Sequence, residues 1–196
     1  MFIELLSRDP VFYVTWVLLV MFSICLHEMA HAWAALRQGD ATAAESGYLT
    51  MNPLKVMGLS SIILLGVFGI AFGAVPVRPS RMRQPWGPAI TAFAGPASNA
   101  LLLVGFALLS RVAGDAGDGQ LGLFFAVGAE ANAFLFLFNM LPLPILDGWE
   151  VYSVAIPQLR RIPSDKARQF GMIVLLIILF ARLHVYLWRA AATLAL

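Results

Sequence analysis

Five long apolar stretches constrain the fold of this chain more than any other feature. They cover about residues 11–36, 57–75, 89–112, 121–141 and 170–192. A helix needs about 20 mostly apolar residues to cross a bilayer. Hydrophobic residues make up 60% of the 196 residues and charged residues only 12%, which leaves too little polar surface for a soluble globule. The composition excludes a water-soluble enzyme, a disordered chain and a nucleic-acid-binding protein, and it predicts a multi-pass integral membrane protein in a lipid bilayer.

The second stretch is the weakest candidate for a complete crossing. Four glycines interrupt it and Pro76 ends it. Irregular backbone is tolerated at membrane depth where protein buries it, so the segment 57–75 is either a crossing or a re-entrant segment. We therefore expect an all-α polytopic fold with four complete transmembrane helices plus a re-entrant or fifth membrane segment, in a single domain over residues 1–196.

A polar connector follows the first stretch. Its residues 47–51 are typical of a short strand, and Asn52-Pro53 is typical of a turn. We expect a small β-strand after the first helix, which could bind an extended peptide by strand addition.

The first stretch contains the sequence His27-Glu28-Met29-Ala30-His31. Residues four apart on a helix differ by about 40° in direction, so both imidazoles face one side and can bind one ion. Glu28 projects beside that ion, which suits a base that takes a proton from water activated by the metal. A charged side chain in an apolar helix costs about 2.5–3.5 kcal/mol on insertion scales, so chance spacing explains the cluster poorly. The ligand types indicate zinc, with iron or cobalt also acceptable.

A hydrolytic zinc site usually has a third protein ligand. Asp147 is the best candidate, because Pro142 and Pro144 end the fourth stretch and hold the chain extended before it. Glu130 and His184 are alternatives, but each stands alone in an apolar stretch, and we interpret both as structural.

Three motifs occur in order over roughly residues 20–155. They are His27-Glu28-x-x-His31, Ala94-Gly95-Pro96-x-x-Asn99 and Asn139-x-x-Pro142-x-Pro144-x-x-Asp147-Gly148. Together they resemble the site-2 protease family of intramembrane zinc metalloproteases, in its compact form without PDZ or cystathionine-synthase-type (CBS) domains.

The resemblance implies a zinc-dependent endopeptidase that cuts within or near transmembrane segments of membrane-protein substrates. It implies one zinc per chain on His27, His31 and Asp147, with Glu28 as general base. It also implies a substrate-facing catalytic role for Asn139, such as an oxyanion donor. Asn99 is similar to a family position near the site, although an interhelical hydrogen bond explains it equally well.

The distance of Asp147 from the histidines along the chain constrains the topology. The two regions meet only if the first and fourth stretches end on the same side, which favours a re-entrant second stretch. Arg8 and Arg111 then fall on the far side, and the positive-inside rule makes the near side cytoplasmic. We expect a prokaryotic plasma membrane, with the active site nearer the cytoplasm. The near side carries Arg37, Lys55, Arg78, Arg81, Arg83, Arg160, Arg161, Lys166 and Arg168.

Two other functions use the same residues. A metal transporter would use the ligands for transit, but it would need further polar groups lining a path to both faces. A catalytically inactive relative would bind membrane proteins without cutting them, yet it would have no need of Glu28. The sequence leaves the substrate and the oligomeric state open.

Overall fold

The structure is a computed structural model, and it describes residues 2–181 and 183–195. Within these ranges all regular elements are helices, as the all-α prediction required. The α-helices are α1 Leu5–Arg8, α2 Pro10–Gln38, α3 Thr42–Glu45, α4 Pro53–Val56, α5 Gly58–Phe68, α6 Gly87–Asp115, α7 Gly119–Asn139, α8 Asp147–Ala155, α9 Ser164–Phe180 and α10 His184–Ala195. Short 3-10 helices cover Phe2–Glu4, Pro79–Arg81 and Pro157–Arg161.

Three helices in the described ranges, α2, α6 and α7, are long and apolar enough to cross a membrane. Local sequence sets their ends. The Asp9 carboxylate accepts a hydrogen bond from the N–H of Phe12 and caps α2, and Gly39 ends that helix with a φ of 105°. The Asp118 carboxylate caps α7 in the same way, by accepting from the N–H of Leu121.

The three long helices pack closely because small residues line their contacts. Ala32 and Ala35 of α2 and Ala129 and Ala133 of α7 are fully buried. Small side chains let helix backbones approach closely, and the resulting van der Waals packing is one of the forces that associate helices in lipid. Gly128 of α7 packs on the ring of Phe106 for the same reason. A hydrophobic core cluster lies where α2 and α7 meet the segment that contains α4 and α5, and it includes Ile24, Leu65 and Ala131.

The segment 57–75 folds back on itself. Helix α5 has 11 residues, about 16 Å, which is half the thickness of a bilayer core. After Gly69 the chain runs extended, and the N–H of Ala74 donates to the carbonyl of Val56. The hydroxyl of Ser61 accepts from the N–H of Phe72 and donates to its carbonyl. The chain thus returns to the end of α2, and α6 begins beside it.

The expected β-strand after the first helix is wrong, since the structure places no strand within the described residues. The N–H groups of Gly47 and Tyr48 bond back to the end of α3 rather than to a partner strand. The N–H of Tyr48 donates to the carbonyl of Ala43, and the Thr50 hydroxyl accepts from the N–H of Asn52. The Asn52-Pro53 pair caps the start of α4 instead of closing a strand.

The expected four complete transmembrane helices are also wrong. Only three helices of the described chain meet the length and apolarity that a crossing requires, and the stretch 170–192 is split into α9 and α10. Helix α9 has 17 residues and α10 has 12. Residue 182, inside that stretch, lies outside the described residues. Trp188 of α10 packs against Trp16 and Phe134, with ring centroids 5.2 and 5.3 Å apart, so this helix lies against α2 and α7.

Candidate metal centre

Helix α2 presents two imidazoles and a carboxylate to the core. His27, Glu28 and His31 are 6–7% exposed. The Nε2 atoms of His27 and His31 are 2.9 Å apart, because a helical spacing of four residues places both rings on one face. The predicted helix and the predicted convergence of the two imidazoles are both observed.

Asp147, which is distant from these imidazoles in the sequence, lies next to them in the fold. Helix α7 returns to the C-terminal end of α2, and a turn over residues 140–146 leads into α8, whose first residue is Asp147. Its Oδ2 lies 3.1 Å from Nε2 of His27 and 3.3 Å from Nε2 of His31. Gly148 makes this approach possible, since a Cβ there would lie 2.5 Å from the carbonyl oxygen of Leu141.

The other ring nitrogens make hydrogen bonds away from the cluster. Nδ1 of His31 donates to the carbonyl of Thr91, over 2.7 Å, and a carbonyl can only accept. Nδ1 of His27 lies 2.6 Å from Oδ1 of Asn99. Both partners belong to α6. Bonds of this kind orient histidine ligands and fix which nitrogen faces a metal.

This arrangement fits a divalent cation. When Nδ1 carries the proton in each ring, both Nε2 atoms point lone pairs at each other and at the Asp147 carboxylate. A proton can bridge only one pair of these atoms, whereas one cation can bind all three. The three are the only group of metal-ligand type side chains that converge in the described part of the chain.

Gly95 of α6 provides the space for such an ion. A Cβ at this position would lie 2.5 Å from Nε2 of His27 and clash equally with Nε2 of His31. The absence of a side chain therefore leaves a small space directly in front of the nitrogen lone pairs. Two imidazoles, one carboxylate and an open position are the donor set of catalytic zinc sites.

The electrostatics of Asp147 suit a metal ligand. Burial disfavours its charged form, but hydrogen bonding and positive charge at His27 and His31 outweigh burial and lower the pKa of Asp147 to about 2. The side chain is therefore an ionised acceptor at neutral pH, as metal binding requires. Its side chain is 21% exposed, whereas the side chains of the two histidines alone are 8% and 9% exposed, so the cluster is most accessible at its carboxylate.

The carboxylate of Glu28 lies against the extended chain that follows α5. A Cβ at Gly73 would lie 2.7 Å from Oε1 of Glu28 and 2.5 Å from its Cγ. Only glycine allows the backbone of this segment to pass so close. The backbone at Gly73 thus lies directly against Glu28 at one side of the site.

Comparison with known proteins identifies the family. YwhC of Bacillus subtilis (strain 168), which is named as a proposed zinc metalloprotease, is 35% identical over 88% of this chain and 83% of its own length. Rip2 of Mycolicibacterium smegmatis and of Mycobacterium tuberculosis (strain H37Rv), named in the same way, are 34% and 32% identical, and each is matched over 64% of its length. The profile of Peptidase family M50 matches residues 109–182. The chain belongs to peptidase family M50. No solved structure matches it.

Membership of the M50 peptidases confirms the resemblance found in the sequence. It also confirms the reaction class, hydrolysis of peptide bonds, with zinc as cofactor. Together with the three long apolar helices, it makes the chain a zinc-dependent protease of the membrane. The roles of individual residues are not fixed by membership, because they depend on geometry in this chain.

The other residues that the sequence indicated as candidates for the site do not belong to the cluster of His27, His31 and Asp147. Asn139 is the last residue of α7, and its Nδ2 donates to the carbonyl of Leu135, so its role toward a substrate stays a prediction. Asn99 is fully buried and bonds both to His27 and across to α7, so both interpretations of this residue are observed. Glu130 and His184 are not part of the three-residue cluster.

Sequence reasoning missed three contributors to the centre. The Thr91 carbonyl carries no side-chain signal at all. Gly95 belongs to the motif Ala94-Gly95-Pro96-x-x-Asn99, but its contact with the histidines depends on how α6 crosses α2. Asn132 had a usable signal, since an amide in the middle of an apolar helix needs a partner.

Proposed function

We propose that this protein hydrolyses peptide bonds within or next to transmembrane segments of other membrane proteins, with His27, His31 and Asp147 as the zinc ligands and Glu28 as the general base. One observation supports this most directly. Two imidazole nitrogens and a carboxylate oxygen from distant parts of the chain lie 2.9–3.3 Å apart, beside the buried Glu28.

Zinc in such a site supplies Lewis-acid chemistry, lowering the pKa of water and polarising a carbonyl. Glu28 accepts a proton from the attacking water and passes it to the leaving amine. The backbone at Gly73 restricts the side chain of Glu28, which keeps its carboxylate beside the histidines. The buried position of the cluster limits access by bulk water.

The substrate proposal follows from where these groups lie. His27 and His31 are in the C-terminal half of α2, a helix that meets the criteria for crossing a membrane. A transmembrane helix hides its carbonyls in its own hydrogen bonds, so a substrate must unwind locally before it is cut. Strand addition at residues 47–51 has no support, because that segment is not a strand.

We also infer that the centre lies nearer the cytoplasmic face of a prokaryotic plasma membrane. Arg37 at the end of α2 and Arg78, Arg81 and Arg83 before α6 lie at the end of the bundle close to the site. Arg111 lies near the other end, in the last turns of α6. Basic residues concentrate on the cytoplasmic side of membrane proteins. Reporter fusions at residues 50 and 82 should both report cytoplasm, and opposite reports would contradict this orientation.

The catalytic proposal is tested by Glu28→Gln. The amide keeps the size of the side chain and cannot accept a proton, so cleavage of a model transmembrane substrate should fall by about 10²–10⁴-fold. Zinc content should stay at one ion per chain, since Glu28 is not a proposed ligand. Purified parent should lose activity with phenanthroline and regain it with added zinc.

The result also separates the two alternatives. A metal transporter would move zinc across liposomes and cut nothing, and an inactive binding relative would bind substrate equally well with either residue at position 28. Cleavage at the parental rate by purified Glu28→Gln would show that the base is assigned wrongly.

A further inference from the structure

A chain of buried amides extends from His27 away from the metal centre. Asn99 of α6, Asn132 of α7 and Ser23 of α2 are each fully buried. Nδ2 of Asn99 donates to Oδ1 of Asn132 over 2.9 Å. Nδ2 of Asn132 donates to the carbonyl of Gly128 over 2.8 Å and to the hydroxyl of Ser23 over 2.9 Å.

The donor and acceptor of each hydrogen bond between these side chains follow from the bond to the Gly128 carbonyl, the one farthest from His27. The Gly128 carbonyl can only accept, so the atom of Asn132 that faces it is Nδ2. Oδ1 of Asn132 must then face Asn99 and accept from Nδ2 of that residue. This leaves Oδ1 of Asn99 facing His27, and an oxygen there requires the proton on Nδ1 of the ring.

The position of this proton decides whether His27 can bind a metal. With the proton on Nδ1, Nε2 of His27 offers its lone pair to the space between His31 and Asp147. If Asn99 turned its amide over, its N–H would face Nδ1, and the ring proton would move to Nε2. That proton would then occupy the direction in which a metal binds.

The two histidines differ in this respect. The partner of His31 is the backbone carbonyl of Thr91, which has only one polarity. The partner of His27 is an amide with two possible orientations, so only this ligand depends on a remote side chain.

We propose that Asn132 is a positioning residue that fixes the orientation of Asn99, and through it the Nδ1–H form of His27, and so sets the metal affinity of the centre. The inference rests on the proposed metal site. Its own content is that a residue whose hydrogen bonds go to Asn99, Ser23 and Gly128, and to no metal ligand, controls zinc binding.

The test is zinc affinity, measured by chelator competition on full-length purified protein in detergent. Asn132→Leu should weaken zinc binding by about 10–100-fold, the usual effect of losing an outer-shell partner. Asn132→Ala is measured in parallel, so that the result does not depend on one variant folding. Ser110→Ala is the matched control, since its hydroxyl also joins α6 to α7, by donating to the Gly122 carbonyl near the far end of both helices.

A second substitution distinguishes positioning from general loss of packing. Asn99→Asp in the Asn132→Leu background places a carboxylate beside His27, and both of its oxygens accept, so it has no wrong orientation. Zinc affinity should return to within a few-fold of the parental value. Loss of packing alone would not be repaired by this change.

Nitrogen-15 shifts of the histidine rings in zinc-free protein give an independent measurement. The parent should show His27 protonated on Nδ1, and Asn132→Leu should show a mixture of the two forms. Parental zinc affinity in both Asn132 variants, or failure of the double variant to recover it, would overturn the inference. A parent that binds no zinc would instead overturn the proposed metal site.

Discussion

Two carboxylates near the C-terminal half of α2 have opposite surroundings. Asp40 follows the helix directly and is fully buried. It accepts hydrogen bonds from the backbone N–H of Arg78 and from both the N–H and the hydroxyl of Thr42. Asp147 is more exposed, and its Oδ2 faces two ring nitrogens whose neighbours across the ring already bond to α6.

The comparison shows that burial does not distinguish a structural carboxylate from a proposed metal ligand. The distinction lies in the polarity of the partners. Within the described residues, every hydrogen-bond partner of Asp40 is a donor, so the folded chain satisfies this carboxylate without any ion. Asp147 faces two ring nitrogens that are acceptors when each ring carries its proton on Nδ1, and a cation shared among the three atoms satisfies all of them.

The largest expected effect is on zinc content, and it comes from removing one of the two carboxylates and not the other. Asp147→Ala should lose both zinc and cleavage, because only two ligands remain. Asp40→Asn should keep one zinc per chain. Elemental analysis of both purified proteins measures the difference. Stoichiometric zinc in Asp147→Ala, or loss of zinc from folded Asp40→Asn, would contradict the assignment of the two carboxylates.

Gly95→Ala should be nearly as severe for the metal. The added methyl would lie against both Nε2 atoms, in the space that a cation requires. Zinc content should fall close to zero while the protein remains helical by circular dichroism. Gly105→Ala in the same helix is the control, since a Cβ there has no neighbour within 4 Å. Equal zinc in the two variants would mean that the ion does not lie in front of Gly95.

Gly73→Ala should separate the base from the metal. The three atoms nearest to the added methyl all belong to Glu28, so the methyl should displace that side chain first and zinc should remain. Cleavage should fall by about 10²-fold, as expected when a catalytic group is displaced by about 1 Å. A cleavage assay and a zinc measurement on the same purified protein test these two expectations, with Gly105→Ala again as the control. Unchanged cleavage would show that Glu28 tolerates displacement.

The smallest effect concerns stability at Asp40. Asp40→Asn should lower the free energy of unfolding by about 1–3 kcal/mol, the usual effect of breaking a buried hydrogen-bonding set. Burial raises the pKa of Asp40, but hydrogen bonds from the Arg78 and Thr42 N–H groups and the Thr42 hydroxyl, with the charge of Arg81, outweigh burial and lower it.

The sign of the pH dependence follows. A carboxyl whose pKa is lowered by folding contributes stability above its ordinary value, near 4, and loses it as the pH falls through the lowered value. The stability difference between parent and Asp40→Asn should therefore shrink below about pH 4. Unfolding curves in detergent between pH 3 and pH 7 measure it, and a difference that does not change with pH would contradict this role.

The sequence predicted the parts of this protein that depend on local chemistry. Apolar length identified α2, α6 and α7 nearly to their ends, and helical spacing placed His27 and His31 on one face. Two prolines before Asp147 indicated a break after α7, and the break is there. The family followed from the order of three motifs.

Other features depended on packing between distant residues, which periodicity does not report. Residues 47–51 are typical of a strand, yet a strand needs a partner, and the chain here makes local hydrogen bonds to Ala43 and Thr50 instead. The stretch 170–192 is apolar enough for a crossing, but it is divided into α9 and α10.

The sequence by itself determined that the chain enters a membrane, that α2 carries a paired-imidazole site, and that the protein is an M50 peptidase. The sequence had also indicated Asp147 as a third ligand, and the tertiary structure brings its carboxylate to both imidazoles. Only the tertiary structure decided which glycine lies against those imidazoles and which amide bonds to Asn99 beside His27. The physical reason is that these choices depend on distances of a few ångströms and on donor polarity. Residues 27, 95, 99, 132 and 147 acquire those relations only when three helices pack together.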